Sequence, residues 1–267
     1  MERGRAHTIL MTASATAARG GRGQRFLRDL LVESVIAALA IAVYYGIDAA
    51  GEGRAALAVE HSAAISAAER HLGIYWEKAF QDAVLRSPLL TDAANVVYLL
   101  AHWPAIAPAA TWLFLRHRAL FRRYRTAFLV AMAVAFPIFM LYPVAPPRLA
   151  DADFTDTERS FVLLGVLQPP QLLNSYAAFP SLHLCWNIIV AAALVEALPP
   201  GAPRLLVPLM PMAMTLAIVA TANHYVLDAV AGAVLAAVAL AVSGALHRAG
   251  RPLLARKRRP ALGTRAA

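Results

Sequence analysis

The chain has 267 residues, 60% of them hydrophobic and 15% charged, with a mean hydropathy of +0.56. Soluble domains run at about 45–50% apolar and about 25% charged, so an ordinary soluble globule is excluded and a membrane protein indicated. The net charge of +9 does not point to nucleic acid, because the basic residues bunch between apolar stretches. One cysteine, Cys185, excludes an intramolecular disulfide framework and a multi-cysteine zinc site.

Six apolar stretches reach or approach the roughly 17–25 helical residues that cross a hydrocarbon core. In chain order they run from about Leu30 to Ile47, Leu89 to Leu115, Ala127 to Tyr142, Leu182 to Leu198, Leu205 to Ala222 and Tyr225 to Leu246. None alternates with period two, which argues against a transmembrane barrel. The expected fold is all-α, a polytopic six-transmembrane-helix bundle. Residues 1–28 and 248–267 are expected to be basic cytoplasmic tails flanking a six-span catalytic domain over 29–247. The first stretch is longer than the roughly 7–15 residues of a signal-peptide core, so it is read as a retained span.

The segment Asp48–Ser87 carries Leu57, Ala64, Ile65, Ala68 and Leu72 on one helical face, opposite Arg70, with Gly73 ending the run. This predicts an amphipathic outer-loop helix on the interface or over the bundle mouth; an ordinary packed surface helix is the plainer alternative. The loop Pro143–Phe179, rich in Pro, Asp and Thr, is suited to lining a site.

Arginine and lysine set the orientation. Arg3, Arg5, Arg19, Arg22, Arg25 and Arg28, the Arg116–Arg125 loop, Arg204 and the tail from Arg248 fall on one side of a six-span arrangement. Arg54, Arg70, Lys78, Arg86, Arg148 and Arg159 fall on the other, among acids. Both termini are therefore expected in the cytoplasm of a cell-membrane protein, with Arg148, His183 and His224 on the opposite face.

Three short segments carry chemistry: Tyr142-Pro143-Val144-Ala145-Pro146-Pro147-Arg148, Ala178-Phe179-Pro180-Ser181-Leu182-His183 and Asn223-His224-Tyr225-Val226-Leu227-Asp228. His224 and Asp228 are four apart and share a face if the last span is helical from its mouth. A carboxylate holding one ring N–H leaves the other nitrogen free to attack phosphorus. His183 suits a general acid and base. Arg148 offers a planar fork for phosphate oxygens, and Ser181 stands at a helix start that favours anions. Two histidines and one aspartate are also a common metal-ligand set, but no HExxH-like spacing accompanies them. No metal or other cofactor is expected.

These segments resemble the three signature motifs of the type 2 phosphatidic acid phosphatase superfamily in its membrane form, nearest the branch of inositol phosphorylceramide synthases. The similarity covers about Asn95 to Gly232. It implies a six-helix bundle and metal-independent catalysis through a phosphohistidine, with His224 as nucleophile, Asp228 supporting it and His183 as acid and base. Leu141 stands where the broad family carries a lysine, Leu149 where a proline follows its arginine, and Ala217 and Ile218 where it carries Ser-Arg. The missing cations set the chain apart from simple phosphatidate hydrolases.

Asn95, Tyr98 and His102 form a polar stripe at three- and four-residue steps on the second span. Together with Asn174, Tyr176 and Asn223 they are candidates for a headgroup pocket; helix–helix hydrogen bonding is the alternative use of the stripe. The expected activity is a membrane-embedded lipid phosphotransferase. It would act on a membrane lipid substrate, with a polyol or lipid alcohol as acceptor. The alternatives are a lipid or polyprenyl phosphate phosphatase and a non-catalytic lipid transporter or scramblase.

Overall fold

A computed structural model describes residues 23–44, 46–47, 53–157 and 176–257, with side chains described to 249. Of the expected site residues, Asn174 lies outside the described set. Helix α1, over 23–44, forms one unit, and the chain from Ile47 onward forms a second. Leu27, Leu31, Val35 and Leu39 of α1 are exposed, so its apolar surface is suited to lipid rather than water.

The second unit contains α2 (Ala55–Leu72), α3 (Glu77–Leu85), α4 (Pro88–Leu100), α5 (Trp103–Arg116), α6 (Arg118–Leu141) and the single turn α7 (Pro147–Ala150). It continues with α8 (Leu182–Ala197), α9 (Ala202–Leu206), α10 (Leu209–Ala220) and α11 (Val226–Lys257). Four helical stretches are long and apolar enough to cross a membrane, namely Pro88–Arg116, Arg118–Leu141, Ala202–Ala220 and Val226–Ala249; Leu182–Ala197 is a shorter apolar helix. Outside these helices, the described residues pair in β fashion at a lone parallel bridge between Val144 and Ala177. The protein is an all-α polytopic membrane protein.

Several boundaries differ from the sequence expectation; the fifth stretch, for one, divides between α9 and α10. The second span is broken at Ala101–His102, between α4 and α5. Pro104, in the first turn of α5, has no N–H to give and its ring crowds the carbonyl four residues back, which favours a break here, although α5 and α6 accommodate Pro108 and Pro137 in their interiors. The expected Arg116–Arg125 loop shrinks to a break at His117: Arg116 ends α5 and the other arginines lie in the first turns of α6. Arginine is a good helix former and lays its stem on apolar surface, as Arg118 does over the Phe114 ring at 3.7 Å.

Helix α11 packs along α6 and α8, while α10 packs on α4 and α8. Leu99, Leu184, Met214, Ile218 and Ala229 fill the space between them. Far from the motif segments, a polar node ties three helices together. Arg123 of α6 donates to Glu196 of α8 at 2.8 Å, the Tyr124 hydroxyl donates to the same carboxylate at 2.7 Å, and Ser243 of α11 donates to the Arg123 carbonyl at 2.5 Å.

The outer-loop helix is present as α2, and Gly73, at φ 72°, ends it as expected. Its buried face is not the expected one. Ala58, Ser62, Ile65 and Glu69 point inward, whereas Leu57 and Leu72 are exposed and Ala64 and Ala68 with them. Polar partners fix the rotation: the Ser62 hydroxyl donates to the Ala145 carbonyl at 2.5 Å, and Ala145 N–H donates to the Ala58 carbonyl at 3.1 Å. The helix thus lies across the Val144–Arg148 segment at the mouth of the bundle. Lipid-compatible leucines are left outside.

Candidate active site

The turn between α10 and α11 aims His224 inward. Ala222 adopts φ 53°, a left-handed conformation that costs a residue with a Cβ roughly 1–2 kcal/mol. The N–H groups of Asn223 and His224 then both turn back onto the Ile218 carbonyl, at 3.0 and 3.1 Å. The Ala222 carbonyl faces outward and accepts from Arg148 N–H at 3.1 Å. A strained residue beside the candidate nucleophile is held by bonds on both sides.

His224 is buried at 4% exposure. Its Nδ1 lies 2.9 Å from the Ala178 carbonyl oxygen and 3.4 Å from Asp228 Oδ2. Both neighbours accept only, so the neutral ring carries its proton on Nδ1 and a lone pair on Nε2. Nε2 faces His183 Nδ1 at 3.3 Å. Burial pushes the His224 imidazole down to about 4, with the Arg148 cation acting in the same direction and the Ala178 hydrogen bond opposing them.

Asp228 and His224 come together as their spacing predicts, but the carboxylate also acts on the backbone: its Oδ2 accepts from Tyr225 N–H at 2.8 Å. Ala178 is the closer partner of the ring. A backbone carbonyl leaves no signature in sequence, so nothing in the residue pattern could have named it.

Ser181 is fully buried and caps α8, its hydroxyl oxygen accepting from Leu184 N–H at 3.4 Å. Its own N–H donates to the Asp228 carbonyl at 3.0 Å, locking the second segment onto α11. The first segment is fixed by Val144 N–H donating to the Tyr176 carbonyl at 2.9 Å and Ala178 N–H donating to the Val144 carbonyl at 3.2 Å. Arg148 Nε donates to Asn223 Oδ1 at 2.9 Å and Nη1 to Asp156 at 3.2 Å. Asn223 donates in turn to Thr221 at 2.8 Å, so the fork is braced from behind.

The polar stripe of α4 reaches the same place. The Tyr98 and His102 rings stand 4.8 and 4.2 Å from that of His183, centroid to centroid, and His102 stacks on Trp186 at 5.5 Å. Asn95, a turn before Tyr98 on α4, accepts from Thr157 at 3.1 Å. His102 Nδ1, Trp186 Nε1 and Asn187 Oδ1 are buried polar atoms with no hydrogen-bond partner among the described residues. The positions of the missing cations are apolar in structure as well: Ala217 and Ile218 are core, and Leu141 is exposed.

The arrangement holds a neutral imidazole whose unprotonated ring nitrogen faces a second imidazole, with a guanidinium alongside. That is the equipment for moving a phosphoryl group through a nitrogen nucleophile. The family model of the PAP2 superfamily matches residues 63–242, a span that includes every one of these side chains. The chain belongs to the PAP2 superfamily, and is an integral membrane enzyme of the phosphatase and phosphoryl-transfer type acting on phosphorylated substrates. No curated protein and no solved structure shows significant similarity to it.

Proposed function

We propose that the protein transfers phosphate, or a phosphorylated headgroup, from a membrane lipid to an alcohol through a phosphohistidine on His224, in the manner of an inositolphosphotransferase. The observation that carries this reading is the His224 ring, with Nδ1 on the Ala178 carbonyl and Nε2 turned to His183. In the first step the Nε2 lone pair forms the N–P bond. The P–O bond to the leaving group breaks, and its electron pair leaves on oxygen and takes a proton from His183. In the second step His183 accepts the proton of the incoming hydroxyl, whose oxygen bonds to phosphorus as the N–P bond breaks. Arg148 balances charge on the phosphoryl oxygens in both steps.

An alcohol is preferred to water for two reasons. The α2 helix covers the mouth, restricting bulk solvent. The unpaired His102, Trp186 and Asn187 atoms beside His183 suit a hydroxyl-rich acceptor such as a polyol, with Asn95, Tyr98, Tyr176 and Asn223 as further candidates for its pocket. The charge pattern supports a cell-membrane protein with cytoplasmic termini and the site on the other face. If water is the acceptor, the same intermediate gives a lipid or polyprenyl phosphate phosphatase.

The test is to incubate the purified protein with radiolabelled lipid phosphates, trap acid-labile phosphoprotein and resolve the lipid products with and without inositol. Labelling that vanishes in His224→Ala, with product shifted to the polyol, supports the reading. Labelling that persists in that variant removes the nucleophile assignment, and wholly hydrolytic product with every polyol and lipid alcohol removes the transferase.

A further inference from the structure

Two acids outside the motifs lie under the start of the helix that follows His224. The first N–H groups of any helix lack partners within it. Here Val226 N–H donates to Glu77 Oε1 and Leu227 N–H to Glu69 Oε1, each at 2.7 Å, next to the Tyr225–Asp228 bond. The left-handed Gly73 folds α2 and α3 back so that Glu69, near the end of one, meets Glu77 at the start of the other. Both are fully buried.

Their remaining oxygens, the two Oε2 atoms, meet no N–H or hydroxyl donor. The two carboxyl groups act directly on each other. Ionised carboxylates only accept, so two of them side by side and buried would be costly, and a proton held between them relieves both orphaned oxygens. We propose that Glu69 and Glu77 are positioning residues of the reaction, sharing one proton so that two buried acids together hold the N-terminus of α11, and with it His224 and Asp228, in place. This rests on the reaction proposed above. The outer hairpin is then part of the site's framework as well as a cover.

The groups facing the pair are known. From the α11 side they are Asp228 and the Tyr225 hydroxyl, and from the α2–α3 corner the Tyr75 hydroxyl, whose ring carries the Arg70 guanidinium at 3.7 Å. Burial, first, and then Glu77 push Glu69 up to about 9, with the Leu227 N–H opposing and Asp228 adding to the rise. Its proton is therefore retained at neutral pH. Both carboxyl groups accept from the first N–H groups of α11, where the helix N-terminus favours the negative charge the pair retains.

The sign of the pH dependence follows. Between the unfolded value of 4.5 and about 9, the folded protein holds a proton the unfolded chain releases, so stability falls as pH rises through that window and then levels. Glutamine at position 69 keeps both the donor and the acceptor but does not titrate. The experiment uses the full chain in lipid nanodiscs, following thermal unfolding from pH 5 to 10 and the affinity for orthovanadate. Glu69→Gln should flatten the decline of stability with pH by one proton and bind vanadate within about threefold of wild type at pH 7. Glu69→Ala, which leaves Leu227 N–H buried and unpaired, should bind at least about tenfold more weakly.

A Glu69→Gln protein with the wild-type pH slope, or one as weak for vanadate as Glu69→Ala, overturns the shared proton. If Glu69→Ala does not fold, the Glu69→Gln slope and affinity decide alone. Wild type that binds no vanadate counts against the phosphohistidine reaction instead, while the unfolding slope still judges the proton.

Discussion

Gly232 of α11 lies against the backbone of Ser181: a Cβ at Gly232 would stand 2.3 Å from the Ser181 carbonyl oxygen. The contact is between two main chains, so no side chain can swing away to relieve it. It seats the segment carrying His183 against the helix carrying Asp228.

Gly232→Ala should therefore destabilise the protein by at least about 1–3 kcal/mol, the usual scale of overpacking, despite alanine's better helix propensity. Gly244→Ala on the same helix meets side-chain ends alone, that of Arg248 at 3.3 Å and that of Arg123 at 4.0 Å, and serves as the control. Thermal unfolding in detergent compares them. Equal melting temperatures for the two variants would contradict the close approach.

Asp228→Asn should reduce turnover by roughly 10–10²-fold, short of the ~10⁴-fold that follows loss of tautomer control in a serine triad. The Ala178 carbonyl, nearer to His224 Nδ1 than the carboxylate, still holds the ring proton in the variant. Turnover of a lipid phosphate checks this, and a loss as deep as that of His224→Ala would return the orienting role to Asp228.

The His224 nucleophile must be unprotonated, and its folded-state pKa of about 4 lies below the ordinary 6.5. The acid limb of kcat/KM should accordingly fall near pH 4, with activity retained at pH 5–6. The same depression makes the group a source of stability at neutral pH that is lost as pH drops from 6.5 toward 4. A limb at 6.5 in the free enzyme would place the ring in water.

Arg148 makes directional bonds through Nε and Nη1, so both Arg148→Ala and Arg148→Lys should lose about 10²-fold or more in kcat. Asp156 is paired with Nη1. Asp156→Asn should tighten vanadate binding by roughly fivefold, the scale of a pair worth about 1 kcal/mol. Full activity with Lys would show that charge alone suffices.

The orientation proposed from charge asymmetry, with both termini in the cytoplasm, is tested by labelling. In a Cys185→Ser background, single cysteines at Arg116 or Arg248 should resist impermeant maleimide in intact cells. One placed at Lys78 should react. The reverse pattern inverts the protein.

Sequence carried the helices and the reacting groups further than it carried their supports. Apolar runs named the long apolar helices but not the short α3 and α7, and the three motif segments held Arg148, His183, His224 and Asp228, which the fold brings together. The break at His102 was written in Pro104 but hidden by the apolar residues around it. Glu69 was invisible for a different reason. On an outer-loop helix an acid reads as a solvated face, and only the position of the α11 N-terminus, distant in sequence, turns that face inward. Ala178 acts through its carbonyl, which every residue possesses, and Asp156 through a loop with no periodicity. The supports are long-range, and local patterns do not encode them.

The node of Arg123, Tyr124, Glu196 and Ser243 gives the bundle a foot. Ser243 lies 17 residues beyond Val226 on α11, about 25 Å along the helix at 1.5 Å per residue, so the clasp sits a membrane's depth from the chemistry. Three helices joined there behave as tines sharing one handle. Spreading them wide enough to admit a lipid headgroup bends them about that handle, and the greatest displacement for the least strain falls at the tips, where the histidines are.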